Sequence, residues 1–132
     1  MNYDALIYES AFLILAISGF AMAVVLFKLT SVAGRKQGLW ILPVLAGLAV
    51  LTAGGVHVYA NYNLLPKLSV TMNTMSTSGV LFDAVKSAEV KANVIAIQKH
   101  LSGIKVLSFS LFLMASILLL LSTSIYLRWI SQ

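Results

Sequence analysis

Cysteine is absent from these 132 residues, only four side chains are acidic, and no more than 10% of the chain is charged. Without cysteine there is no disulfide-stapled secreted scaffold and no thiolate to hold a metal. Ordinary soluble domains carry about 25% charged and about 45–50% apolar residues, whereas 60% of this chain is hydrophobic. The same excess excludes a disordered tail. A chain of 14.2 kDa cannot hide so much apolar surface within itself, because small domains bury the smallest fraction of their surface. The mean hydropathy of +0.95 points instead to an integral membrane protein.

Charge-free runs mark the spans. Ser10–Phe27 lies between Glu9 and Lys28, Leu39–Ala60 is the most apolar part of the run between Lys36 and Lys67, and Val106–Leu127 lies between Lys105 and Arg128. A hydrocarbon layer about 30 Å thick takes roughly 20 helical residues. Transmembrane helices are therefore expected over about 6–30, 39–61 and 105–128. Backbone groups in lipid must be bonded within a helix or a closed barrel, and no alternating barrel strands are legible here. Ser31-Val-Ala-Gly34 follows the first span like a cleavage site, but Met1-Asn-Tyr-Asp4 lacks a basic flank and the apolar run exceeds a signal core. That span is expected to be retained. No internal repeat or domain boundary is visible, so a single membrane domain over 1–132 is expected.

The polar segment 64–104 separates the second and third spans. Pro43 sits near the start of a helix, where a missing N–H costs little, and Pro66 is expected to end the second helix. Ser69–Gly79 is rich in Ser, Thr, Asn and Met without a clear period and reads as a loop or weak helical extension. From Leu81 to Ile104, apolar residues recur at three and four: Leu81, Val85, Ala88, Ala92 and Ile95, and again Val90, Val94, Ile97, Leu101 and Ile104. An amphipathic helix is expected there, on the membrane surface or as a stalk with Gly103 as the bend.

The short loop after the first span carries Arg35 and Lys36, with Lys28 just before it, while the N-terminal tail has Asp4 and Glu9 and no basic side chain. The positive-inside rule then places that loop in the cytoplasm. The expected topology in a plasma (inner) membrane has the N-terminus and residues 61–104 outside and the C-terminus inside. Trp40 and Trp129 share a layer with Arg35, Lys36 and Arg128, and Tyr3, Tyr8, Tyr59 and Tyr62 share the opposite one, as interfacial aromatic belts require.

Small residues form stripes at one or two helical turns: Ala16, Gly19 and Ala23; Gly47, Gly54 and Gly55; Ser108, Ala115 and Ser122. Helices in lipid gain nothing by hiding apolar surface, so they associate where backbones can approach closely. These stripes are expected to be packing faces, within the chain or toward other subunits or a second copy. Glu9, Arg35, Lys36, Lys105 and Arg128 are expected at the membrane boundaries. His57 and His100 are the candidate ligands for haem or copper, both of which accept imidazole. A structural or interfacial role is the stronger reading of the two histidines, with proton handling a further alternative, and no Glu-x-x-His or second His accompanies either.

No serine stands in a Gly-x-Ser-x-Gly setting, and Gly54-Gly55 lies inside an apolar run rather than after a strand. The net charge of +5 is dispersed, which suits anionic headgroups better than nucleic acid. Asn61-Tyr-Asn-Leu-Leu-Pro66, followed by Lys99-His-Leu-Ser102 before the last span, resembles small multi-span proteins of the transmembrane-protein-205 type over these two stretches. The helix that such proteins carry before them has no counterpart here. The leading expectation is a small non-catalytic accessory subunit of a larger membrane complex, docking through the small-residue faces. The alternatives are a haem- or copper-holding redox subunit using His57 and His100, and a holin-like pore former.

Overall fold

The structure is a computed structural model that describes residues 3–34 and 38–132. Helix α1 spans Tyr3–Val32, a 3-10 turn Gly38–Trp40 leads into α2 (Ile41–Tyr59), and a π turn (Ala60–Leu64) leads into α3 (Leu65–Met75). A short α4 (Ser78–Leu81) precedes α5 (Ala84–Ile130). No strand occurs among the described residues. Three helical stretches, Glu9–Val32, Gly38–Met75 and Ala84–Ile130, are long and apolar enough to cross a membrane.

The last two exceed expectation. Pro66 does not end the second helix, most of Ser69–Gly79 is helical, the extension rather than the loop of the two readings above, and Gly103 lies within uninterrupted helix. Segment 64–104 holds α3, α4 and the first part of α5, which runs on without a break into the third apolar stretch, as the stalk alternative has it. The π turn explains how the chain passes Pro66. In a regular helix the proline ring would press on the Tyr62 carbonyl and offer it no N–H. The wide turn, in which the Leu65 N–H reaches back to the Ala60 oxygen, relieves that crowding. It also resets the helix face. Withdrawn positions recur at four and three through Ala46, Val50, Ala53, His57, Ala60 and Leu64, so Lys67 would come next. The extra residue in the turn carries Lys67 outward and puts Leu68, Thr71 and Met75 on the withdrawn face.

Local chemistry sets other ends. Gly34, at φ +66°, closes α1 in the left-handed conformation that lacks a Cβ penalty only for glycine. Asp83 caps α5: its Oδ1 accepts from the backbone N–H of Val85 at 3.1 Å and of Lys86 at 3.2 Å.

The described residues divide into two compact units, Met1–Gly55 with Ser108–Gln132, and Val56–Leu107. The first is a three-helix bundle. In α1 the least exposed residues include Glu9, Phe12, Ala16, Gly19, Ala23, Leu26 and Thr30, alternately three and four apart as in a coiled-coil seam. Ala16, Ala46, Ala49, Val50 and Ala115 form its buried centre. The faces left open carry large aliphatic side chains, among them Ile14, Leu48 and Leu120.

The second unit is a helical hairpin. Ala60, Leu64 and Leu101 are buried together, with Leu68, Ile97 and Ile104 packed against them. The withdrawn face of α5 here runs Val90, Val94, Ile97, Leu101 and Ile104, again four and three apart. Lys67, Lys86, Lys91, Gln98 and Lys99 are exposed.

Candidate functional site

Close backbone approach needs residues without bulk, and the bundle has them at its crossings. A Cβ on Gly19 would sit 3.3 Å from the Gly47 Cα and 3.4 Å from the Pro43 carbonyl oxygen, so α1 and α2 meet backbone to backbone. A Cβ on Gly54 would lie 3.1 Å from the Phe12 Cβ, whereas one on Gly55 would meet nothing within 4 Å. Between α2 and α5, the Ser108 hydroxyl donates to the Ala53 carbonyl at 3.3 Å. Between α1 and α5, the rings of Phe12 and Phe112 stand edge to face at 6.2 Å, a favoured aromatic geometry. Gly19, Ala23, Gly47, Gly54, Ala115 and Ser122 are buried and Ser108 is half-buried, while Gly55 is exposed.

Hydroxyls in these helices satisfy themselves locally. Ser18, Thr30, Thr52, Ser116 and Thr123 each donate to the carbonyl four residues back, the local satisfaction that a helix in lipid would need. Ser122 differs: it is fully buried, and its Oγ has no hydrogen-bond partner. Glu9 lies on the withdrawn stripe of α1, one Oε1 shielded from solvent and likewise without a partner. Shielded polar atoms without partners are costly, so these two mark the polar strain of the bundle.

Among the other boundary charges, Lys105 and Arg128 are exposed, and Arg35 and Lys36 lie outside the described residues. Trp40 packs edge to face on Phe27 at 5.8 Å, and Trp129 lies 6.0 Å from Tyr126.

His57 and His100 both belong to the hairpin unit but stand on different faces. His57 is half-buried on the withdrawn stripe, one turn before Ala60, while His100 is exposed one step off the Leu101 position. Among the described residues no group of three or more His, Asp or Glu side chains is gathered as a metal site. His100 instead lines a surface groove with Lys99 and Gly103.

Sequence reasoning missed the aromatic contact between Phe12 and Phe112, which no pattern within one helix announces. It also missed the Asp83 cap, although Asp before Ala-Val-Lys is a readable helix start. No family model, curated protein or solved structure matches the chain, and the two-stretch resemblance noted above gains no support from them.

Proposed function

We propose that the chain is a small non-catalytic subunit of a larger plasma-membrane assembly, held in the bilayer by its bundle and meeting its partner through the hairpin. The observation that carries this reading is the uncovered apolar surface of the hairpin: Phe82 is 91% exposed, Val85 78% and Val70 66%. Large apolar side chains left exposed on an element that this reading places in water are candidate contacts for a partner. The small-residue faces contribute less to docking than their number suggests, because Gly19, Gly47 and Gly54 are already filled from within the chain, and of the four glycines in those stripes only Gly55 stands over open space. With Lys28, Arg35 and Lys36 cytoplasmic, the hairpin and the N-terminus face outward and the C-terminus inward.

Purification of the tagged chain in a gentle detergent tests this. A second integral membrane chain is expected to co-purify in fixed proportion and to be lost when Phe82 and Val85 are both changed to Asp. Every membrane complex running unchanged on a native gel after deletion of the chain would overturn the reading. A visible absorbance band in the purified protein would replace it with the redox role for His57 and His100.

A further inference from the structure

Two shallow grooves on the hairpin have Ala96 in common in their lining. One, of about 490 Å³, lies between α3 and α5, with Lys67 beside an apolar floor that includes Val70 and Ile97. The other, of about 480 Å³, runs past Lys99 and His100 to Gly103 and Leu107. No carboxylate is among the lining residues of either. A Cβ on Gly103 would meet nothing within 4 Å, so the floor is open at that point.

The level of this groove is informative. Lys105 and Leu107 stand at the start of the third span, and Lys99 comes six residues earlier, about 9 Å along a helix. Headgroups occupy roughly the 5–8 Å beyond the hydrocarbon on each side, and a lysine stem can bend its ammonium toward that layer. Cations therefore stand at phosphate height, and an apolar furrow leads from them toward the acyl chains.

We propose that this groove seats an anionic phospholipid of the protein's own bilayer. The phosphate lies against the Lys99 ammonium and an imidazole N–H of His100, Lys67 in the adjoining groove adds attraction at longer range, and an acyl chain lies over Gly103 and Leu107. The absence of acidic lining favours an anion over a zwitterion, and the strip of apolar floor favours a lipid over a free phosphate. The inference rests on the membrane-spanning reading of α5.

The test reconstitutes the full chain in nanodiscs of equal phosphatidylglycerol and phosphatidylcholine and follows retained lipid by native mass spectrometry. Phosphatidylglycerol is expected to be kept in preference. A basic residue at an anionic surface is worth about fivefold in affinity, so K67Q with K99Q should lower that preference about thirtyfold. Gly103→Leu fills the floor without touching the cations and should release the lipid while helical circular dichroism stays unchanged. Equal retention of the two lipids overturns the proposal. So does indifference to both variants, or a crosslink from a cysteine at position 103 to a second copy or an acidic protein segment. A chain that leaves the nanodisc defeats the membrane reading itself, whereas a chain that stays embedded without lipid preference defeats this inference alone.

Discussion

The bundle and the hairpin use the same spacing with opposite residues. Along α5 the withdrawn positions recur at four and three in both, yet in the hairpin they are Val94, Ile97, Leu101 and Ile104, and in the bundle they include Ser108, Ala115 and Ser122. The outer surfaces invert as well: Lys91, Gln98 and Lys99 on the hairpin, Leu113, Ile117 and Leu120 on the bundle. Water drives large apolar side chains into a seam because their removal from water is favourable. Lipid provides no such drive, and what remains is dispersion at close approach, which small residues permit. On the membrane-spanning reading proposed above, one helix thus passes through two solvents.

The largest effect that would break this comparison comes from the hairpin seam. Leu101→Ala removes a side chain only 9% exposed and should cost about 2–5 kcal/mol, read as faster amide hydrogen exchange confined to residues 60–68 and 97–104. In the bundle the sensitivity reverses, so that enlarging a residue does the damage. Gly19→Val pushes a side chain against the Gly47 backbone at a point where even a Cβ sits 3.3 Å away, and overpacking of this kind costs about 1–3 kcal/mol. Gly55→Val, over open space, is the control and should leave unfolding in detergent unchanged. If the two glycine variants behaved alike, the backbone contact between α1 and α2 would be wrong.

Smaller effects sharpen the picture. Ser108→Ala removes an interhelical hydrogen bond to the Ala53 carbonyl, and such bonds average about 0.6 kcal/mol in membrane proteins. Ser122→Ala should do the opposite and leave stability unchanged or slightly raised, because it deletes a buried hydroxyl that has no partner. Chemical unfolding of the two variants side by side checks the difference in sign.

Much of this was legible in the sequence because charge and apolar residues are so unevenly distributed along it. The three charge-free runs announce three helices, and the interval of four between Gly19 and Ala23 marks a packing face before any neighbour is known. What was not legible depends on contacts across helices or on local backbone repair. A proline after Asn-Leu-Leu reads as a stop, yet the π turn at Ala60–Leu64 lets the helix continue and turns Lys67 away from the withdrawn face. The apolar repeat from Val90 to Ile104 was legible as one side of a helix, but its partner residues Ala60, Leu64 and Leu68 lie in a stretch that reads as closed by the proline. His57 and His100 share a layer in the sequence and different faces in the structure, a distinction that depends on knowing which stripe is covered.

The most direct test of the two-solvent account uses two side chains of equal exposure. Ile95 in the hairpin and Leu113 in the bundle are each 55% exposed. Because the chain has no cysteine of its own, single cysteines at these positions can be labelled with a water-soluble maleimide in intact membranes. The account predicts rapid labelling at position 95 and none at position 113 until the bilayer is dissolved. Equal labelling at both positions before detergent is added would contradict it.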